Sequence, residues 1–176
     1  ERFRGQLFDR VTGQLEASIR PGRTVALGLE VQHGGQIDSE NARVATGTEV
    51  TPSAAFRLGR SIELDLSHRW ERLAGEGGPV FRARLAQGQL VYHFSVRAHL
   101  RAMVQWRRIT RDPAQHSEPV DRVTSRLFEQ LLFAWEVDPG TVLYLGYSGD
   151  RAGTDSAALA THSRTLFVKV GYALRL

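Results

Sequence analysis

The feature that most constrains the fold is an alternation of apolar and polar residues with a period of two, which recurs along the whole chain. Such a period places alternate side chains on opposite faces of a β-strand. In residues 164–176 one face of the strand carries only apolar side chains: Leu166, Val168, Val170, Tyr172, Leu174 and Leu176. That face requires either a protein core or a lipid bilayer, and we expect this last strand to pair with the first one in a closed sheet.

The same alternation predicts nine antiparallel strands in a meander, joined by connections of two kinds. Tight turns are predicted at four places: near Pro21, Gly59, Arg97 and Pro139. Longer polar loops are predicted at the four others: 33–41, 71–79, 108–125 and 149–163. Tight turns at one end and long loops at the other are typical of membrane β-barrels.

The predicted strands differ in how regular their alternation is. Residues 4–20 alternate almost without a break and predict the first strand. Pro52 predicts a bulge or a local kink, because proline removes a hydrogen bond of the ladder. A change of phase near Leu85 and Ala86 predicts a second bulge. Residues 141–148 are apolar on both sides, so the alternation does not assign their faces.

The polar faces of the predicted strands are unusually charged. Eleven side chains share them: Arg10, Glu16, Glu30, Glu49, Arg57, Glu63, Asp65, Arg69, Arg101, Arg107 and Glu136. Burial of these ions in a protein core would cost several kcal/mol each, and a water-filled lumen costs far less. The opposite faces of the central stretches carry no Lys, Arg, Asp or Glu. The sequence therefore predicts an all-β fold, an antiparallel transmembrane β-barrel, with these lumen-facing charges as a structural charge ladder rather than a selectivity device.

Aromatic residues lie near both ends of the predicted strands. Trp70 and Trp106 lie towards the long-loop ends, and four others lie towards the tight-turn ends: Phe56, Phe94, Trp135 and Tyr172. Two such rings of aromatic side chains are typical of the two interfaces of a membrane barrel. The alternative is that these residues form the core of a soluble β-sandwich or of a lipocalin-like barrel.

Composition limits the other classes of fold and function. A mean hydropathy of −0.29, with no run of about 20 apolar residues, excludes transmembrane helices. The basic residues are nearly all arginines, since Lys169 is the single lysine, and they give a net charge of +4. They are not clustered with aromatic residues as they are on nucleic-acid-binding surfaces. Without cysteine the chain has no disulfide and no thiolate metal site. We expect one domain, residues 1–176, with no cofactor and no nucleic-acid partner.

Candidate catalytic residues lack the spacing that catalysis requires. Ser67 and His68 are sequence neighbours on opposite faces of a predicted strand, so they cannot act together in a lumen. Ser95 and His93 lie near a tight turn, away from external substrates. No hydrolase triad is therefore expected.

Carboxylates in the predicted loops offer oxygen ligands of the kind that calcium prefers: Asp38, Glu40, Asp150 and Asp155. None of them follows the spacing of a known calcium-binding loop. We therefore expect solvated loop charges rather than a metal site, and surface loop positions for His33, His116 and His162.

The C-terminal residues carry a pattern of known meaning. Lys169, Gly171, Tyr172, Leu174 and Leu176 give a polar residue, a spacer, a glycine and then alternating aromatic or apolar residues. This pattern resembles the C-terminal β-signal of outer-membrane proteins, with Leu176 in place of the commoner phenylalanine. The resemblance implies recognition by the barrel-assembly machinery and a place in the outer membrane of a Gram-negative-type bacterium.

A narrower resemblance involves the second half of the chain. Four segments carry it: Leu90-Val-Tyr-His-Phe-Ser95, Leu100-Arg-Ala-Met-Val-Gln-Trp106, Leu131-Leu-Phe-Ala-Trp-Glu-Val-Asp-Pro-Gly-Thr-Val-Leu-Tyr-Leu-Gly-Tyr147 and Arg164-Thr-Leu-Phe-Val-Lys-Val-Gly-Tyr172. Together they resemble the C-terminal barrel of the DUF5916 family, whose members carry an amino-terminal carbohydrate-binding family 9-like domain. The resemblance implies that such a domain and earlier strands precede residue 1, and it brings no catalytic residues. An odd strand count agrees, since single-chain bacterial barrels have an even one.

The expected function follows from the barrel. We expect an integral outer-membrane β-barrel that is a membrane anchor or assembly component without catalysis. Its expected partners are outer-membrane lipid, the barrel-assembly machinery and other chains of a membrane complex. The first alternative is an outer-membrane channel or transporter for sugars or other small solutes, and the second is a soluble β-barrel binding module.

Overall fold

The structure, a computed structural model, describes residues 2–3, 6–7, 10–38, 43–116, 118–155 and 157–172. Two very short strands, β1 (Arg2–Phe3) and β2 (Gln6–Leu7), form a ladder of their own. Nine longer strands follow: β3 (Thr12–Ile19), β4 (Val25–Asp38), β5 (Arg43–Leu58), β6 (Ile62–Gly75), β7 (Gly78–Ser95), β8 (Ala98–Arg111), β9 (Val123–Asp138), β10 (Thr141–Thr154) and β11 (Ala160–Tyr172). Among these residues no helix has the length and the apolar character needed to span a membrane.

The nine longer strands form one antiparallel sheet in which every strand pairs with its neighbours in sequence. The predicted all-β meander of nine strands is therefore confirmed. The first predicted strand is shorter than expected, because residues 6–7 belong to the separate ladder and β3 begins at Thr12. Within the described residues β3 and β11 are the two edges of the sheet and do not pair with each other, so the expected closure between them is not present there.

The strands are longer than predicted at the end opposite the tight turns. Most of the predicted loop 33–41 belongs to β4, which pairs with β5 as far as Asp38 opposite Arg43. The predicted loop 71–79 reduces to a turn at residues 76–77 between β6 and β7. These segments were predicted to be loops because they are polar. Antiparallel pairing nevertheless satisfies their backbone, and their polar side chains pair across strands. An example is the 2.8 Å contact of His33 Nδ1 with Thr48 Oγ1. Residues 112–122 still form a long connection, with a short 3-10 helix at Pro113–Gln115.

The bulge predicted near Leu85 is not present, and at Pro52 the ladder shows an interruption of pairing rather than a bulge. The ladder of β7 with β6 runs without a shift from Tyr92 to Phe81, and its irregularity lies between Leu73 and Ala74. The change of phase near Leu85 has another cause. The face of β7 that carries Leu90 and Tyr92 is apolar near the end of the strand, but near its start the same face carries Arg82 and Arg84. At Pro52 the register of β5 is also unbroken, although residues 51 and 52 have no partners in β6.

The two faces of the sheet differ in curvature and in chemistry. Polar-face side chains from Glu16 on β3 to Met103 on β8 line one hollow of about 610 Å³, so the sheet curls with its polar face inside. We call this the concave face and the opposite one the convex face. The register also assigns the segment whose faces the sequence left open, with Leu143, Leu145 and Tyr147 on the convex face.

The convex face carries an apolar band. On β6 it runs from Ile62 to Trp70 and on β8 from Ala98 to Trp106, which is nine residues on each strand. About 9–11 residues of a tilted strand cross a bilayer. The band therefore has the length of a membrane crossing. We call the end of the sheet opposite the tight turns the loop end. The strands continue beyond the band at this end.

Candidate functional site

The concave face gathers the predicted charges. Cross-strand register places ten of the eleven on this face: Glu16, Glu30, Glu49, Arg57, Glu63, Asp65, Arg69, Arg101, Arg107 and Glu136. Arg10 precedes β3 and the register does not include it. The common face is thus a finding, and the assignment of these charges to a lumen stays a prediction.

Five of these charges form a ladder of ion pairs on β5 and β6. The Arg57 guanidinium contacts the Glu63 carboxylate at 3.4 Å and the Asp65 carboxylate at 3.0 Å. Arg69 Nε lies 3.0 Å from Glu49 Oε1. The side chains of Arg57 and its partners are 41–44% exposed, so each pair contributes about 0.2–1 kcal/mol rather than the larger value of a buried pair.

The concave charges of β8 differ from those of β5 and β6. Within the described part of the chain, the guanidiniums of Arg101 and Arg107 have no carboxylate within ion-pair distance. Arg107 lies directly opposite Arg126 of β9, and both side chains line a space of about 280 Å³. This part of the concave face therefore presents positive charge that a soluble anion can reach.

Two ion pairs at the loop end were not predicted. Arg126 binds the Asp150 carboxylate through Nε at 2.8 Å and through Nη2, and Asp150 is only 6% exposed. Asp38, which is 2% exposed, accepts a hydrogen bond from Arg43 at 3.1 Å. The expectation of solvated loop charges is therefore wrong for Asp38 and Asp150, because the strands extend far enough to bring each opposite an arginine.

The remaining loop predictions have mixed outcomes. Asp155 accepts a hydrogen bond from the backbone N–H of Val123 at 2.7 Å, so it holds two connections together at the loop end. His33 belongs to β4 rather than to a loop. Glu40 lies outside the described residues. No group of three metal-binding side chains occurs among the residues that the structure describes.

The connection between β8 and β9 folds over the loop end of the concave face. Gln115 Oε1 accepts a hydrogen bond from Arg43 Nη2 of β5 at 2.7 Å, although β6 and β7 lie between β5 and β8. The backbone N–H of Asp112 donates to the Val80 carbonyl at 3.1 Å. Beneath this contact Ala45, Leu73 and Val80 form a small buried cluster. Residues 112–116 therefore narrow the space above the concave face at this end.

The side chains considered for catalysis do not assemble. Register places Ser67 on the concave face opposite Gln87 and His68 on the convex face, which confirms that they lie on opposite sides. The Ser95 hydroxyl accepts hydrogen bonds from the backbone N–H groups of Arg97 and Ala98 at 3.2 and 3.1 Å. Its contacts are those of a residue that closes a tight turn.

The proposed assembly signal lies on both faces of β11. Lys169 and Gly171 are on the concave face, opposite Tyr144 and Val142 of β10, and Tyr172 is on the convex face. A Cβ at Gly171 would lie 3.7 Å from the Tyr144 ring. Leu174 and Leu176 lie outside the described residues.

The convex face carries the predicted aromatic residues, and towards the loop end it also carries charged side chains. Near the tight-turn end the Phe94 ring lies 4.7 Å from that of Tyr92 and 6.2 Å from that of Phe133, both edge to face. On β9, however, Glu129 is on the convex face, where it binds Arg151 at 2.9 Å. Glu129 lies opposite Val104 of the apolar band, where pairing with Arg151 reduces the cost of its charge. Alternation from Leu131 gives its face, and only the register identifies Arg151 as its partner.

Comparisons with known proteins bear on the fold. No protein-family model matches the chain, and no curated protein sequence matches it. A solved structure, that of the outer membrane channel DcaP of Acinetobacter baumannii, is similar with a TM-score of 0.50 at 10% sequence identity. The match covers 90% of this chain and 61% of that one, so this chain spans less than two thirds of the length of that channel. The predicted fold class, an antiparallel β-barrel of the transmembrane type, is thereby confirmed.

Proposed function

We propose that the chain is part of the wall of an integral outer-membrane β-barrel, with its convex face in lipid, its concave face towards a water-filled lumen and no catalytic role. One observation carries this proposal: on β6 and β8 the convex face is apolar over the length of a bilayer crossing except for His68, and the concave face of the same strands carries the charges. A sheet between lipid and water satisfies both faces together with its backbone hydrogen bonds.

Exposure supports lipid rather than a protein core on the convex side. On β11 the side chains of Leu166, Val168 and Val170 are 72%, 66% and 64% exposed. A continuous apolar surface of this kind marks a membrane or a partner interface in proteins. A soluble β-barrel binding module would leave this surface in water and would bury the charged face instead.

The proposed location is the outer membrane of a Gram-negative-type bacterium. The fold shared with an outer membrane channel and the resemblance of residues 169–176 to an assembly signal support it. The barrel-assembly machinery is then the proposed partner during insertion. Membership of the DUF5916 family, with a preceding carbohydrate-binding domain, is a proposal that rests on the resemblance of residues 90–106, 131–147 and 164–172 alone.

Fractionation of the envelope tests the proposal. The protein is produced in a Gram-negative host, and the outer membranes are separated on a density gradient and washed with alkaline carbonate. An integral barrel stays with the outer membrane and migrates faster on a gel before heating than after it. Release of the protein by carbonate would refute the barrel proposal and support the soluble binding module.

A second candidate function is passage of small solutes through the lumen. The hollow of about 610 Å³ over the concave face favours it over a purely structural anchor, as does the charge of Arg101, which no carboxylate in the described part of the chain neutralises. Gln115 over the loop end of the same face would then form part of a constriction. Lumen charges determine ion selectivity where a pore is open.

Planar bilayer recordings separate the channel from the anchor. Stepwise conductance is expected of a channel, and Arg101→Glu should shift its reversal potential towards cation selectivity under a salt gradient. Arg164→Gln, on the convex face, is the matched control and should leave the reversal potential unchanged. Membrane insertion without conductance would reject the channel and leave the anchor or assembly role.

A further inference from the structure

Four arginines form a cluster on the convex face at the loop-end border of the apolar band. Arg72 of β6 lies directly opposite Arg82 of β7, and Arg84 of β7 lies directly opposite Arg108 of β8. Arg82 and Arg84 are two residues apart on one strand, so the two pairs are neighbours on the same face. All four side chains are exposed. We call this set the arginine patch.

The arginine patch has no internal neutralisation. Within the described part of the chain, no carboxylate lies within ion-pair distance of any of its four guanidiniums. Like charges directly opposite on neighbouring strands destabilise a sheet. The strands could have paired these positions with acids, as β5 and β6 do on the concave face, so an external anion is the group that the patch fits.

The height of the patch relates it to the membrane surface. Arg84 lies opposite Trp70, and Arg72 and Arg108 come two residues after Trp70 and Trp106 on their strands. Two residues of a strand rise about 6.6 Å, and about 5 Å along the membrane normal after tilt. The polar headgroup layer on each side of a bilayer is about 5–7 Å thick. Guanidiniums at this height therefore lie in the headgroup layer when the tryptophans lie at its inner border.

The orientation of the barrel selects the leaflet. The patch is at the loop end, and tight turns of outer-membrane barrels lie on the periplasmic side. The patch is therefore in the outer leaflet. Arginine forks bind phosphate oxygens in pairs, and each charge-assisted hydrogen bond of this kind is about twice as strong as a neutral one.

We propose that the arginine patch binds the phosphate groups of a phosphorylated glycolipid of the outer leaflet. This inference rests on the proposed outer-membrane function and adds a ligand to the lipid-facing surface. The apolar band directly below the patch receives the acyl chains of the same molecule, which a soluble anion lacks. Free phosphate, which offers the same charge without acyl chains, is the competing source that the test must separate.

The test measures lipid retained by the protein from mixed vesicles. The protein is reconstituted into phosphatidylcholine vesicles that contain diphosphoryl lipid A and is then extracted in mild detergent. Native mass spectrometry measures the mass of the protein together with any lipid that stays bound. Insertion is measured in the same vesicles by resistance to carbonate. Parallel samples replace diphosphoryl lipid A with its dephosphorylated form, or add inorganic phosphate at millimolar concentration as a competitor.

The variant Arg84→Gln/Arg108→Gln removes one of the two opposed pairs. Its matched control is Arg107→Gln/Arg164→Gln, which removes the same charge from the neighbouring concave position and from a convex position outside the patch. We expect diphosphoryl lipid A to be retained by the unaltered protein and the control alike. Loss of two surface cations should reduce its retention by about tenfold or more.

Each result has a defined meaning. Equal retention by the two double variants, or equal retention of the dephosphorylated lipid, would overturn the inference while insertion in carbonate preserves the proposed function. Displacement of the lipid by millimolar phosphate would also overturn it, because the patch would then be a site for soluble anions. Failure to insert would refute the proposed function itself and the inference with it.

Discussion

The arginines of the ion-pair ladder on β5 and β6 and those of the arginine patch differ in what lies opposite them. On the concave face Arg57 and Arg69 lie within ion-pair distance of glutamates and an aspartate of the same sheet. On the convex face Arg72 and Arg84 lie opposite other arginines. The concave pairs are complete within the protein, and the convex cluster is not.

This difference shows that residue type alone does not determine the role of a charged side chain in a barrel wall. Arg107 and Arg108 are adjacent in sequence and point to opposite sides of the sheet. One is predicted to meet lumen water and the other the headgroup layer, so equal substitutions at these positions report different environments.

The largest effect is expected from a charge in the middle of the apolar band. Leu66 is the central residue of the stretch Ile62–Trp70 on the convex face, and Ser67 follows it on the concave face. Leu66→Arg should reduce the free energy of unfolding from lipid vesicles by about 2–4 kcal/mol, because the guanidinium enters hydrocarbon. Ser67→Arg should change it much less, since its side chain meets the hollow. Denaturant titrations in vesicles measure both, and equal losses would contradict the assignment of the two faces.

An intermediate effect is expected where the concave face is closely packed rather than open. Gly146 of β10 is buried, and the Phe167 ring of β11 occupies the space that a Cβ there would need. Gly146→Val should displace that ring and reduce the free energy of unfolding by about 1–3 kcal/mol. Leu145→Ile, one residue away on the convex face, should cost less than the valine because fluid lipid adapts to its shape. A comparable loss in both variants would show that shape matters equally on the two faces.

The smallest expected effects are two changes in the free energy of unfolding that have opposite signs. Arg57→Gln removes contacts to Glu63 and Asp65 and should reduce the free energy of unfolding by up to about 1 kcal/mol, since these groups are well exposed. Arg84→Gln removes repulsion with Arg108 and should raise it by about 0.2–1 kcal/mol in detergent free of phosphorylated lipid. Denaturant titrations at low ionic strength measure the two changes. Destabilisation by both substitutions would contradict the contrast between the faces.

The fold was largely predictable from the sequence, and the charge partners were not. Alternation assigns a side chain such as Glu63 or Leu64 to a face, because the period of a strand is two. It does not give the register between strands, which determines that Asp38 meets Arg43 and that Arg126 meets Asp150. Polar strand extensions were mistaken for loops for the same reason, since their pairing depends on the neighbouring strand.

The arginine patch could have been found only in part. Arg72 and Arg108 look like ordinary loop charges in the sequence, since residues 71–79 and 108–125 were predicted to be loops, and Arg82 and Arg84 belong to the predicted fifth strand before its change of phase near Leu85. Once β6, β7 and β8 are known to extend, alternation from Trp70 and Trp106 gives the convex face for Arg72 and Arg108. The opposition of Arg84 and Arg108 still requires the register.

The strict pairing of each strand with its sequence neighbours has a consequence for how the sheet is built. Several turns between partners contain only two residues, as between β7 and β8, so contact order is low and loop closure costs little entropy. The sheet can then extend one hairpin at a time, with each new strand templated on the last. In hydrocarbon every unpaired edge leaves backbone groups unsatisfied, so growth without a partner at the advancing edge is slow. We therefore expect a partner that offers a temporary edge to accelerate insertion by this route, an effect of the topology rather than of any single side chain.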